Sequence, residues 1–277
     1  MKYTKIFLKD ITNLKIGSNS FIEIYSCDKN AEVNIDPRPT MVVCPGGGYA
    51  MCSYREAEPI ALRYLSEGFN CIVLNYSTKT LFPIPQLELA ITIDYIRNNC
   101  TKYNMSCDYI NIVGFSAGAH LAASYSLYYK EYAEMMNVDF MILKPFSLTL
   151  AYPVISKKFA NNSGSFFNLS LGDEKLFDKF DIIENLTSDF PPTYVWTTKK
   201  DGYIDPENSI LLVEEFKKHK IKYKFTLFNE GIHGGSLFNH AVYDDSYNFE
   251  ATKENKIWVY ESIDFIFNLI KEDKIGR

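Results

Sequence analysis

Apolar and polar positions along this chain of 277 residues fall into runs of two kinds. Residues 20–27 alternate apolar and polar, as a half-buried strand does. Residues 40–45, 69–76, 109–115, 146–153, 193–198 and 222–228 are nearly continuous apolar runs, which suits strands covered on both faces. Residues 54–66, 87–99, 117–129, 209–219 and about 257–271 carry apolar positions on a helical period. From residue 40 onward the order is strand, helix, strand, helix. That order predicts a doubly wound α/β fold, with a mostly parallel sheet and helices on both faces. An antiparallel hairpin is expected at the N-terminus, and residues 1–277 are read as a single domain. The rhythm breaks at 154–190, which reads as a small cap-like excursion over the carboxyl ends of the strands, where such sheets place their sites.

Composition narrows the class. Hydrophobic residues at 47% and charged residues at 23% suit a folded globular chain and exclude a disordered or fibrous one. A net charge of -5 argues against non-specific nucleic-acid binding. No apolar stretch approaches the ~20 residues of a membrane span, so no membrane partner is expected. The opening MKYTKIFLKD lacks a continuous apolar core, so no signal peptide is read and a cytoplasmic location is expected. The six cysteines, Cys27, Cys44, Cys52, Cys71, Cys100 and Cys107, are read as small buried side chains kept reduced. Their spacing does not suggest zinc, and no metal or cofactor is expected. The 20 Tyr and 20 Phe must largely fill the core, with those in 154–190 and 237–249 the candidates for shaping a pocket.

The sharpest chemical signal is Gly114-Phe115-Ser116-Ala117-Gly118, a G-x-S-x-G between a strand run and a helix run. A tight turn there holds a serine hydroxyl clear of the sheet, above a helix N-terminus. Serine alone is a weak nucleophile and needs a histidine base oriented by a carboxylate. Of the four histidines, His233 is the candidate base, because glycines surround it just after the last strand run. His120 follows the serine on its own helix and suits packing or support. His219 closes a Lys-rich helix end, and His240 lies in an aromatic segment. Chain order places the acid between serine and histidine. Asp201, next to Gly202 after the run 193–198, is preferred; Asp205 is the alternative and a candidate helix cap, and Asp173 is third. An oxyanion needs fixed N–H donors. Gly47 and Gly48, after the run 40–45, and Ala117, after the serine, are the candidates.

These pieces together resemble an α/β-hydrolase of the esterase/lipase group, and within it bacterial acetylesterases and acetylxylan-esterase-like proteins. The matching segments are CPGGGYAMCSYREAEPIA (44–61), FNCIVLNYSTK (69–79), IVGFSAGAHLAA (112–123), LAYPVIS (150–156), PPTYVWTTKKDGYIDPENSILLVEEF (191–216) and GIHGG (231–235). Pro45 stands where such enzymes usually carry a histidine before the glycines. Lys200 replaces the first aspartate of the family's acid pair, and Asp201 matches the second, the usual triad acid. The resemblance implies a serine carboxylic-ester hydrolase working through an acyl-enzyme on Ser116. Its substrates would be small-molecule esters of acetyl or other short acyl groups, acylated sugars or xylo-oligosaccharides among them. The competing readings are a serine peptidase acting on short peptides and a non-catalytic binding protein on the same fold.

Overall fold

The computed structural model describes residues 1–162, 164–245 and 249–276. Its strands are β1 (Lys2–Phe7), β2 (Phe21–Ser26), β3 (Arg38–Cys44), β4 (Asn70–Asn75), β5 (Met105–Phe115), β6 (Ser147–Ala151), β7 (Thr193–Thr198) and β8 (Tyr223–Phe228). The main helices are α1 (Glu58–Ser66), α2 (Ile84–Asn99) and α3 (Ala117–Met136), followed by a single turn, α4 (Phe140–Leu143). After β6 come the short α5 (Ser165–Ser170), α6 (Phe177–Phe180) and α7 (Ile182–Asn185). Then follow α8 (Glu207–Lys218), α9 (Phe249–Thr252) and the closing α10 (Trp258–Gly276).

All eight strands form one sheet in the order β1-β2-β4-β3-β5-β6-β7-β8. β1 pairs antiparallel with β2, and β2 antiparallel with β4; every other pairing is parallel. The mixed, mostly parallel sheet and its N-terminal antiparallel pair are those expected from the sequence. Strand periodicity splits the core in two. Met41, Val43, Cys71, Val73, Val113 and Phe115 face α1 and α10 on one side. Val42, Cys44, Ile72, Leu74 and Ile112 face α2, α3 and α8 on the other. From β3 the chain winds to β4 on one side and then returns across to β5 on the other. That reversal opens a crevice at the carboxyl ends of β3 and β5, the usual place for a ligand in such sheets.

Several boundaries differ from expectation for local reasons. The run 54–66 is not one helix, because Pro59 would clash with the preceding turn. A 3-10 turn covers Tyr54–Glu56, Ala57 breaks at φ -110 and ψ -105, and α1 starts with Pro59 in its first turn. α3 runs on to Met136, past the expected 129, until Asn137 takes a left-handed conformation at φ 54. β5 begins at Met105 rather than 109, and its register against β3 shifts between Arg38 and Thr40. β1 has no clear sequence signature, since it is an exposed edge strand carrying Lys2 and Lys5.

Cys100 and Cys107 correct the reading of six reduced thiols. A turn at Thr101–Tyr103 brings their Cα atoms to 5.6 Å, and the two sulfurs are bonded. The other four cysteines are free, with Cys44 and Cys71 buried in β3 and β4. Among the described residues no helix is long and apolar enough to cross a membrane.

Candidate active site

β5 ends at Phe115 and α3 begins at Ala117, so one residue makes the whole reversal. That residue is Ser116, at φ 53 and ψ -114, a conformation costly for any side chain. Its N–H is tied to Ala151 O at 3.0 Å, and its carbonyl accepts from Ala119 N and His120 N at 3.1 Å each. The flanking glycines permit the close approach. A Cβ on Gly114 would lie 2.3 Å from Gly118 O, and one on Gly118 would lie 2.1 Å from Cys44 O and 2.4 Å from Pro45 O. These obstacles are backbone atoms that cannot swing aside. Gly118→Ala is therefore expected to cost about 3 kcal/mol or more of stability, read from urea unfolding against wild type.

His233 lies five residues beyond β8 and Asp201 three beyond β7, so both reach the same sheet end as Ser116. His233 Nε2 is 2.8 Å from Ser116 Oγ, and His233 Nδ1 is 2.8 Å from Asp201 Oδ2. The Asp201 side chain is fully buried, and its Oδ1 accepts from Tyr203 N at 2.9 Å and Ile204 N at 2.8 Å. With a carboxylate accepting at Nδ1, the imidazole proton belongs there, which leaves Nε2 free to accept from the serine hydroxyl. The ring is held between Tyr152 and Tyr203, at centroid distances of 4.9 and 5.3 Å. A hydroxyl, an imidazole and a buried carboxylate in this line can move a proton off the serine oxygen.

The glycine loop after β3 lies beside Ser116. Gly46 N donates to Glu56 Oε2 at 2.9 Å. The N–H groups of Gly47, Gly48 and Ala117 have no protein acceptor among the described residues. Gly48 O accepts from Asn168 Nδ2 of α5 at 2.8 Å, so the 154–190 excursion reaches the site. Gly47, Gly48, Tyr54, Glu56, Ser116 and His233 are among the residues lining an open cleft of about 560 Å³. Residues 246–248 of the aromatic stretch 237–249 lie outside the described residues.

The remaining candidates sit elsewhere. Asp205 Oδ1 accepts from Glu207 N at 3.0 Å, one residue ahead of Pro206, which takes the N-cap position of α8. Asp173 Oδ1 accepts from Lys175 N at 3.1 Å in the first turn after Gly172. His219 closes α8, 4.0 Å from Glu215 Oε2. His120 is fully buried, and desolvation pushes its pKa down to about 4. Its Nε2 donates to Phe180 O and its Nδ1 accepts from Tyr49 O–H, both at 2.8 Å, so it braces the glycine loop against α6. Glu56, Tyr152 and Asn168 were not legible as site residues. Nothing in a charged stretch such as Tyr54-Arg-Glu-Ala-Glu58 distinguishes an inward carboxylate from a solvated one.

The sequence profile of one family, BD-FAE, matches residues 23–216. The chain belongs to the BD-FAE family. This BD-FAE chain has the α/β-hydrolase fold. It is 30% identical over 234 residues to endo-1,4-beta-xylanase B of Butyrivibrio fibrisolvens, covering 78% of its own length and 36% of that protein. It spans less than half the length of the curated relatives it matches, 36% and 44%. Among solved structures it resembles the carboxylesterase Cest-2923 from Lactobacillus plantarum, with a TM-score of 0.83 and 26% identity over 97% of this chain and 98% of that one. It also resembles an acetyl ester-xyloside bifunctional hydrolase from Caldicellulosiruptor lactoaceticus, with a TM-score of 0.75 and 32% identity over 95% and 97% of the two chains.

Proposed function

We propose that this chain is a serine carboxylic-ester hydrolase that removes acetyl or other short acyl groups from acylated sugars, xylo-oligosaccharides among them. The observation that carries this reading is the unbroken hydrogen-bonded line Ser116–His233–Asp201, 2.8 Å at each step, opening beside N–H groups that have no acceptor among the described residues. The names of two relatives, a xylanase and an acetyl ester-xyloside hydrolase, support the sugar side of the proposal.

His233 Nε2 takes the proton of Ser116 as Oγ attacks the acyl carbon. Asp201 keeps the proton on Nδ1 and offsets the charge of the imidazolium that forms. The negative oxygen of the tetrahedral intermediate is held by the N–H groups of Gly47, Gly48 and Ala117. His233 returns its proton to the departing alcohol, leaving the acyl group on Ser116. Water then repeats the attack along the same route, releasing the carboxylic acid and restoring the hydroxyl. The open cleft and the exposed rings of Tyr54 and Tyr203 at its rim leave room for an extended alcohol such as a sugar chain.

The test is a substrate panel: p-nitrophenyl esters from acetyl to octanoyl, acetylated xylo-oligosaccharides, and an aminoacyl amide. The expected result is fastest turnover on the acetyl ester, acetate release from the acetylated oligosaccharides, and no cleavage of the amide. Amide cleavage without ester hydrolysis would replace this reading with a peptidase.

A further inference from the structure

Resting on the proposed hydrolytic reading, we infer that Glu56 is a positioning residue whose carboxylate ties the glycine loop after β3 to the loop carrying His233, and so sets both against Ser116. Glu56 lies in the 3-10 turn before α1 and is only 3% exposed, although it borders the cleft with Ser116 and His233. A carboxylate is costly to bury unless its oxygens find donors. Here the donors come from two different walls of the site. On one side Oε2 accepts from Gly46 N at 2.9 Å and lies so close to the bare Gly46 Cα that a Cβ there would come within 2.6 Å. On the other side Oε1 accepts from the Tyr152 hydroxyl at 2.5 Å.

Tyr152 follows β6 and carries the connection onward. Its oxygen accepts from Ser236 N at 3.3 Å, and its ring stands edge-on to the His233 ring at 4.9 Å. Burial, and then the charge on Glu56, push the Tyr152 phenol well up, so it remains a donor. The neighbouring Arg55 carbonyl accepts from Ser236 Oγ at 2.6 Å, a second clasp from the same turn. A continuous relay thus runs from Gly46 N–H through Glu56 and Tyr152 to Ser236 N–H. It crosses from the loop that presents Gly47 and Gly48 to the loop that presents His233. Among the described residues no triad side chain is hydrogen-bonded to the glycine loop, so this relay, with the Arg55–Ser236 clasp, is what ties the donors to the loop of the base. Misplacement by about 1 Å is enough to cost orders of magnitude in rate.

The experiment measures p-nitrophenyl acetate hydrolysis and thermal unfolding for wild type, Ser116→Ala, Glu56→Gln, Tyr152→Phe and the double variant Glu56→Gln/Tyr152→Phe, all in the full chain. Glu56→Gln keeps an acceptor for Gly46 N–H but turns an amide towards Tyr152. Tyr152→Phe removes one hydroxyl at constant shape. Each single change is expected to lower kcat by ~10–100-fold, with KM held within about twofold. The double variant is expected to lose no more than about the worse single, because one relay is cut in either case. Additive losses, a rise in KM alone, or a lower melting temperature with kcat per folded molecule unchanged would overturn the inference. If Glu56→Gln does not fold, Tyr152→Phe decides the matter alone. A wild type that hydrolyses no ester removes the hydrolytic reading and this inference together. A wild type active through Ser116, with both relay variants as fast, removes the inference only.

Discussion

Ser116→Ala is expected to lower kcat by ~10⁵-fold or more while the folded chain keeps its melting temperature. The two halves of this expectation come from different features. Alanine retains the Cβ that already sits at φ 53, so the strain of the turn is unchanged. The tight strand–helix junction depends on Gly114 and Gly118, which the substitution leaves alone. What disappears is the one oxygen within 2.8 Å of His233 Nε2 that can form an acyl intermediate. The residual rate then comes from the N–H donors and substrate positioning alone, which leave catalysis well above the uncatalysed reaction. Steady-state assays on the acetyl ester, with thermal unfolding alongside, check both halves. Turnover near the wild-type rate would show that the acyl group never resides on Ser116.

Asp201→Asn is expected to lower kcat by ~10³–10⁴-fold, through a change in where one proton sits. Asp201 Oδ1 already accepts from Tyr203 N and Ile204 N. In the amide the single oxygen must stay with those two donors, since an NH₂ group there would face N–H against N–H. The NH₂ group is then turned towards His233 Nδ1, where Oδ2 had been 2.8 Å away. Nδ1 becomes an acceptor, the imidazole proton moves to Nε2, and Nε2 can no longer take the proton of Ser116. Geometry would be preserved and basicity misplaced. NMR of the imidazole nitrogens should find Nδ1 bearing the proton in wild type and Nε2 bearing it in the variant. A variant that keeps the wild-type tautomer and rate would assign Asp201 no part in holding the base.

How much of this could be read from the sequence follows from the range of each signal. The central strands were legible because their side chains are buried on both faces, so that 193–198 matches β7 residue for residue. The Ser116, Asp201 and His233 candidates followed from motif, chain order and glycine context, all of which are local. The structure brings those three side chains into contact across separations of 117 and 32 residues. Contacts without such local marks stayed hidden. Glu56 sits among charged neighbours, and only the turn before Pro59 directs it inward. Tyr152 is one of 20 tyrosines, and its position at the end of β6 matters only because β6 adjoins β5 and β7. Cys100 and Cys107 meet because of a turn that apolar patterning does not register.

The strand order has a consequence for what activity can report. The glycine loop, Ser116, Tyr152, Asp201 and His233 follow β3, β5, β6, β7 and β8, which stand side by side in the sheet. Each of these neighbours donates a part to a common rim. On the proposed reading, turnover belongs to five docked strands together and is expected to vanish with the first of them to detach. β1 and β2 lie beyond β4 on the opposite flank and contribute nothing to that rim. The exposed edge strand β1 is where a tag is expected to leave the proposed rim whole, while the side from β3 to β8 acts as its own assembly gauge.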